Sequence, residues 1–533
     1  MEKRKVIGID YGTDSARAIL VDASNGNILS SASMVYPRWS KGKYCDSSAS
    51  SFRQHPKDYE EVLHFILNKV LEGCSCREDI AAIGIDTTAS TPALSDSDGI
   101  PLAALPEFED DPDAMFVLWK DHTGIKEAEE ITASGNDSGY CLRSAGNYSA
   151  ENFWSKVLHL VRTSPETASR AGSVIELCDY IPSLLIGKRA PVSRCCASYK
   201  AMWAKEWNGL PPRDFFLKLG GEKAASLRDS YPEMTSSSSS AAGTLSPAWA
   251  KELGLSEDVI VSVGNIDAHS GAVGAGCAVG TPVLNMGTSA CLMAVMPAEE
   301  YKGRIIDGVF GQVSDGIIEG MEGFESGMSS FGDNFAWLRN LLADAMKMLL
   351  QDNVDNHILE KAEERILNRL GEEASRLKTD KKSPFATDWF NGRRSPAPDP
   401  QKKATIGNLG IHTGAAEIFY AIAEANAFGV KAMIDTLLKG GVRIDKINAV
   451  GGIALKSPFM VQMIADVTGM EIFVPDSPEA CGLGAAINAA VAASLYYNVI
   501  TAQDFMCTKK GKTYLPDSSK DFSERYARYL NMY

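Results

Sequence analysis

The chain has 533 residues, 45% hydrophobic and 23% charged, with a formal net charge of −15. This length holds two or three domains with sizeable cores, and the acidic balance excludes a non-specific nucleic-acid or anionic-membrane surface, which needs a basic face. No apolar run approaches the roughly 20 residues that span a bilayer, and the basic start at residues 1–5 lacks a signal-peptide core, so a cytoplasmic protein is expected.

In chain order, the apolar run Val6-Ile7-Gly8-Ile9 ends at Asp10. The turn Tyr11-Gly12-Thr13-Asp14-Ser15 follows, and Ala18-Ile19-Leu20-Val21 continues the pattern. Two strands joined in this way form a hairpin whose tip offers backbone N–H groups, hydroxyls and the cation of Arg17. Such a tip suits a polyphosphate, with Asp10 placed to hold a metal ion or its water shell. An ordinary hairpin with an exposed aspartate fits the same residues, and the motif alone leaves both readings open. Helical spacing of Tyr59, Val62, Leu63, Ile66 and Val70 predicts a helix over 56–71, and Phe153, Val157, Leu160 and Val161 predict another over 152–164. The serine run at 235–240 reads as a flexible surface loop.

A second version of the hairpin begins at Leu284-Asn285-Met286-Gly287-Thr288-Ser289. Residues 83–90 and 447–454 also echo each other, each running from an apolar strand into a turn of small residues. The stretch 338–377 is helical in pattern with a solvated charged face, and 384–400 is irregular. A long helix is expected over 411–438, and an Ala-rich one over 479–495. Gly482, Gly484, Ala485 and Ala486 in the latter permit the close packing of two articulating lobes. Strands alternate with helices in both halves, which predicts an α/β architecture of two related lobes facing a cleft. Of the eleven cysteines, Cys74 and Cys76, like Cys195 and Cys196, lie too close together for a zinc knuckle, so reduced structural thiols are expected.

In this order the motifs resemble the FGGY family of carbohydrate kinases over nearly the whole chain. Asp10-Tyr11-Gly12-Thr13 is similar to the family's first phosphate motif, Gly287-Thr288-Ser289 to its second, and Gly451-Gly452 with Lys456 to its adenosine motif. Val263-Gly264-Asn265-Ile266-Asp267-Ala268-His269 resembles the region of its catalytic aspartate. The resemblance implies a two-lobed actin-like ATPase (ribonuclease H-like) fold with ATP and sugar in the interlobe cleft. It divides the chain into an N-terminal lobe over 1–277, a C-terminal lobe over 278–500, and an extension over 501–533 packed on the lobes. It makes Asp267 the general base and assigns the sugar to the Ala89 backbone, Lys200, Glu325, Asp267 and Trp119, although Trp119 reads equally as a core tryptophan. ATP falls to Gly12, Thr13, Ser15, Arg17, Gly287, Thr288, Gly414, Gly451, Gly452 and Lys456, and Mg²⁺ to Asp10 through water. Asp14 is set aside, since a carboxylate there repels phosphate unless it points away.

Several stretches resemble the L-ribulose-phosphorylating branch of that family: Phe52-Arg53-Gln54-His55-Pro56, Leu118-Trp119-Lys120-Asp121-His122, and Asp388-Trp389-Phe390-Asn391-Gly392-Arg393-Arg394-Ser395-Pro396. Met328 departs from the pattern, standing where glutamine is common. The implied function is ATP-dependent phosphorylation of L-ribulose in L-arabinose breakdown, by an enzyme that often pairs as a homodimer. A kinase for another pentulose or polyol, of xylulokinase or D-ribulokinase type, is the near alternative. A non-catalytic actin-like nucleotide switch is the distant one.

Overall fold

A computed structural model describes residues 4–74, 77–350 and 354–533. Its first sheet is built from β1 (Lys5–Tyr11), β2 (Ser15–Asp22), β3 (Ile28–Val35), β4 (Ile80–Thr87), β5 (Ala241–Thr244) and β6 (Ile260–Ser262), in the spatial order β5-β6-β4-β1-β2-β3, with β7 (Asn265–Ile266) also pairing β4. Every residue of β4 is buried. A parallel central strand covered on both faces needs such a continuous apolar run. The second sheet contains β8 (Val283–Met286), β9 (Ala290–Pro297), β10 (Gly311–Ser314), β11 (Met321–Met328), β12 (Ile447–Val450), β13 (Ile472–Pro475) and β14 (Gly511–Tyr514). Its order is β10-β11-β9-β8-β12-β13-β14.

Apart from the added strands β7 and β10 and the chain order of the edge strands, where β5 precedes β6 but β14 follows β13, the two sheets share one topology. The antiparallel pairs β1–β2 and β2–β3 answer to β8–β9 and β9–β11, and the parallel pairs β1–β4 and β4–β6 to β8–β12 and β12–β13. The antiparallel edge β6–β5 answers to β13–β14. The segment after residue 500 therefore supplies an edge strand of the second sheet.

The helices used below are α1 (Pro56–Val70), α2 (Phe153–Thr163), α3 (Arg194–Lys200), α4 (Asp267–Gly274), α5 (Gly332–Leu350), α6 (Asn356–Ala374), α7 (Ala415–Lys439), α8 (Ala480–Ala492) and α9 (Ser523–Leu530). The α1 and α2 ranges agree with the sequence reading to within a residue. The helix expected from residue 411 starts later, because Gly414 is its N-cap and donates its amide to Glu417 at 2.8 Å, while Ile411 is 96% exposed. The helical stretch over 338–377 comprises two helices, the second capped by the Asp355 carboxylate on the amide of His357 at 2.8 Å. The serine run is not a surface loop. Ser237, Ser238 and Ser239 are buried, with hydroxyls bonded to one another, to the Gly264 carbonyl at 3.1 Å and to Glu319 at 3.2 Å. Hydroxyls with such partners can be buried at little cost, which composition does not reveal.

Helix α8, late in the chain, lies on the first sheet beside α4. The contact is backbone against backbone: a Cβ added at Gly8 would stand 1.9 Å from the Gly482 carbonyl oxygen, and one at Gly484 would stand 1.8 Å from that of Ser270. This is the expected seam of small residues. Around it a shared core joins Val6, Ile19 and Val273 to Val283, Leu483 and Ala486. Among the described residues ten cysteines are free; Cys76 lies outside them.

Candidate active site

Both Gly-Thr turns close from the glycine amide onto a serine carbonyl, the first with one residue more in its loop. The Gly12 amide donates to the Ser15 carbonyl at 3.0 Å, and the Gly287 amide to that of Ser289 at 3.0 Å. In the first turn the Trp119 indole donates to the Thr13 hydroxyl at 3.0 Å, so Thr13 keeps its own proton to give to an anion. Trp119 thus braces the first turn. Asp14 is drawn aside, its carboxylate accepting from the Trp39 indole at 2.7 Å. Arg17, expected at the phosphates, stands in an ion pair with Glu479 at 2.5 Å. Ser15 opens β2 at the base of the turn. The second turn is held by its backbone: the Thr288 carbonyl accepts from Phe331 at 2.8 Å and Asp333 at 3.2 Å, and that of Gly287 from Gly332 at 3.1 Å.

Three aspartates gather where the first sheet ends. Asp10 and Asp86 are register partners on parallel strands, and Asp267 opens α4. One oxygen of Asp10 and both of Asp86 are buried without a hydrogen bond to the described residues. Burial pushes Asp10 above the usual carboxylate range and Asp86 well above it, where the charges of Asp10 and Asp267 add to the rise. Asp267 is pushed up to about 7, first by burial and then by the charge of Asp10, against the opposing Ala268 amide and Lys200. Its Oδ1 accepts from the Ala268 amide at 2.6 Å, so the carboxylate takes one free amide of the first turn of α4 and faces the acidic cluster. Asp86 was absent from the sequence-based site, but a signal exists: Ile7-Gly8-Ile9-Asp10 and Ile83-Gly84-Ile85-Asp86 are the same tetrapeptide, laid side by side in register.

Among the described residues no three His, Cys, Asp or Glu side chains are disposed to ligate a metal directly. The unpartnered oxygens of Asp10 and Asp86 fit a hydrated Mg²⁺, whose bound waters would satisfy them.

Beyond Asp267 lies a mixed-charge region. Lys200 ends α3, and Glu325 lies on β11. Burial works to raise the pKa of Glu325, but Lys200, His269 and Arg394 outweigh it and hold the group well below its ordinary value. His269 Nε2 is 3.2 Å from Glu325 Oε2, and its Nδ1 meets Cys195 Sγ at 3.1 Å. Arg394 Nη2 stands 3.3 Å from both oxygens of Glu151, and His122 Nε2 is 3.5 Å from Glu151. Burial would raise Glu151 too, yet Arg394, His122 and Lys200 bring it to about 2. Met328 belongs to the core of the second lobe, packed toward Gly429 of α7.

Ala89, half-buried after β4, is anchored through its neighbour. The fully buried Lys156 of α2 donates to the carbonyls of Ser90 at 2.6 Å, Leu118 at 2.9 Å and Trp119 at 3.3 Å. One ammonium thus ties the Ala89 turn to the segment bracing Thr13. Burial, partly offset by Glu176 and Asp121, lowers Lys156 to about 7.

A cavity of about 1360 Å³ opens beside the second turn. Gly287, Thr288, Gly452 and Lys456 line it, with Phe335, Leu367, Phe419 and Phe459 as an apolar wall. Gly414 lies outside this lining, at the exposed start of α7. The double glycine divides its work. Gly451, at φ +95°, packs so closely that a Cβ would stand 2.7 Å from the Met286 carbonyl oxygen, whereas a Cβ at Gly452 would meet nothing within 4 Å.

Two matched sheets, an acidic cluster at one turn and a nucleotide-sized cavity at the other define a two-lobed α/β enzyme of the actin-like ATPase class. Residues 5–274 match the N-terminal domain of the FGGY family of carbohydrate kinases, and residues 283–493 its C-terminal domain. The chain belongs to this family. It is 38% identical to a ribulokinase of Vibrio parahaemolyticus, over 99% of this chain and 95% of that protein, and 34% identical to a ribulokinase of Shouchella clausii, over 97% and 92%. In fold it is similar to a xylulose kinase of Rhodospirillum rubrum (TM-score 0.77, 18% identity, 99% and 98% of the two chains) and to a Plasmodium falciparum glycerol kinase with ADP (TM-score 0.76, 15% identity, 100% and 97%). No helix among the described residues is long and apolar enough to cross a membrane.

Proposed function

We propose that the chain transfers the γ-phosphoryl group of MgATP to the primary hydroxyl of L-ribulose remote from its carbonyl, giving L-ribulose 5-phosphate in the cytoplasmic breakdown of L-arabinose. The observation that carries this reading is Asp267, a carboxylate pushed up to about 7 beside the phosphate turns and next to Lys200 and Glu325. A general base works best with its pKa near the working pH. Two relatives matched along nearly their whole length are named ribulokinase, which supports the choice of sugar.

The triphosphate lies between Gly12, Thr13 and Ser15 on one side and Gly287 and Thr288 on the other, with adenosine in the cavity beside Gly452 and Lys456. Asp10 and Asp86 are the residues that would hold Mg²⁺, which when bound would neutralise phosphate charge. Lys200 donates to the ketose oxygens and Glu325 accepts from its hydroxyls. Asp267 takes the proton of the attacking hydroxyl as its oxygen bonds the γ-phosphorus and ADP departs. Positioning matters more than early proton removal, because the transition state is loose. Closure of the lobes keeps water from taking the sugar's place.

A coupled assay of ADP release across L-ribulose, D-ribulose, D-xylulose, L-xylulose, ribitol and glycerol tests the proposal. L-Ribulose is expected to give the highest kcat/KM. A preference for another acceptor would reassign the substrate, and ADP release independent of any sugar would point to a nucleotide switch.

A further inference from the structure

The motif at 388–396, singled out in the sequence, has no part in the chemistry above, although it is built with care. Trp389 is buried, and the Asp388 carboxylate accepts from the Tyr529 hydroxyl of α9 at 2.5 Å. The Asp388 carbonyl accepts from Ser330 at 3.2 Å and from Asn334 at 3.3 Å. The Ser395 hydroxyl takes the Gly327 amide of β11 at 3.4 Å. These bonds fix a segment that has little regular structure of its own, and what they hold in place is Arg394.

Arg394 crosses from the second half of the chain to Glu151 in the first. Its aliphatic stem lies over Gly327, where a Cβ would be 3.3 Å from Arg394 Cδ, two residues along β11 from Glu325. Its guanidinium carbon is 5.5 Å from the centre of the Phe310 ring, and Lys200 Nζ is 5.9 Å from the same ring. Both hydrogen bonds of Arg394 to the described residues leave from Nη2. Its Nε and Nη1 donors therefore have no partner among those residues. A guanidinium with planar donors to spare, held rigidly beside the two charged sugar candidates, suits the recognition of oxygen atoms.

Resting on the functional reading above, we infer that Arg394 is a specificity-determining ligand of the sugar. It donates to the oxygens at the end of the chain remote from the transferred phosphate, and its ion pair with Glu151 aims it there. Being a donor only, it favours a carbonyl or an unencumbered hydroxyl oxygen at that end. Because it is carried by the second half and anchored on the first, its contact with the sugar is complete only when the lobes are closed.

The test compares R394M, R394K and E151Q with the wild type, using whichever acceptor of the panel the wild type turns over fastest. A favourite other than L-ribulose corrects the functional reading and leaves this test intact; failure of the wild type on all six acceptors overturns both. For R394M the sugar KM is expected to rise about 100-fold, the scale of losing charge-assisted hydrogen bonds at a buried polar site, and the ATP KM to stay within about twofold. The kcat/KM ratio between the preferred ketose and ribitol, which lacks the carbonyl at that end, is expected to shrink. R394K should recover part of the loss, because a single cation returns without the planar fork. E151Q, which keeps the donors but loosens their aim, should cost about tenfold less than R394M. Thermal melts of all three separate loss of folded protein from loss of contact. Equal defects in E151Q and R394M, or a lowered Tm with unchanged sugar KM and unchanged selectivity, would show a strut between lobes and overturn the inference.

Discussion

The two lobes repeat one sheet topology but carry different chemistry at matching places. Where β1 brings Asp10 to its turn, β8 brings Asn285; where β4 sets Asp86 beside Asp10, β12 sets Val450 beside Asn285. The helix after β6 and β7 opens with Asp267, while the helix after β13 follows Glu479, already neutralised by Arg17. One lobe thus concentrates carboxylates that must see a cation or a proton. The other lines its cavity with backbone, glycine and an apolar wall. A repeated scaffold fixes where groups can stand, and the residue types placed there decide which lobe does the chemistry.

The comparison breaks most severely at Asp267. Replacement by Asn is expected to lower kcat at least ~10²-fold with little change in sugar KM, and the wild-type rate should rise with pH through about 7. Stability should move in the opposite direction. The folded carboxyl sits near 7 against an ordinary 3.8, so between these values the folded protein holds a proton that the unfolded chain has released. That group's contribution to stability therefore falls as pH rises across the window. D267N escapes the penalty, so its Tm should exceed that of the wild type at pH 8 and converge with it toward pH 4. A variant both active and no more stable would mean that Asp267 is an ordinary helix cap.

Making the lobes more alike tests them from the other side. N285D gives the second turn the carboxylate of the first, with no second aspartate beside it to share a cation. The ATP KM should rise about tenfold, and added salt should soften the effect, since screening weakens charge repulsion. No change in ATP KM would mean that Asn285 lies away from the phosphates.

The double glycine separates shape from ligand contact. G451A places a Cβ at positive φ, 2.7 Å from a carbonyl oxygen, and should lower Tm by several degrees through overpacking of about 1–3 kcal/mol. G452A meets no protein atom within 4 Å. Its Tm should hold, and only the ATP KM should rise, by several-fold. Matching melts for the two variants would contradict this division.

The hairpins, the central strands and the seam of small residues were legible because each depends on local pattern: an apolar run, a Gly-Thr turn, a stripe of Gly and Ala. Asp267, Lys200 and Glu325 were reached through family resemblance and stand in one charged region. Arg394 falls within a family-like stretch but was given no role, and Glu151, Lys156 and Glu479 were given none either. Each acts through a partner far along the chain, Arg394 on Glu151 and Glu479 on Arg17, and no periodicity encodes such pairings. The buried serines at 237–239 deceived for the same reason, since their partners, Gly264 and Glu319, are remote in sequence. Gly414 was expected at the nucleotide; the structure places it at the N-cap of α7, outside the lining of the cavity, a position that no local pattern reveals.

The finest difference between the lobes is that the first turn is braced by side chains and the second by its backbone. Trp119 holds the Thr13 hydroxyl at 3.0 Å, and Lys156 holds the Trp119 carbonyl. W119F keeps an aromatic ring but removes the indole donor along with part of the ring's bulk. Thr13 then loses a preset orientation worth about 1 kcal/mol, which corresponds to an ATP KM raised about fivefold at unchanged kcat. The same route runs back to Lys156, so K156M should raise the ATP KM as well, and the double variant should show less than the product of the two single effects. Multiplicative effects would mean that the lysine and the indole act on the nucleotide independently, and the side-chain brace of the first turn would then be no chain at all.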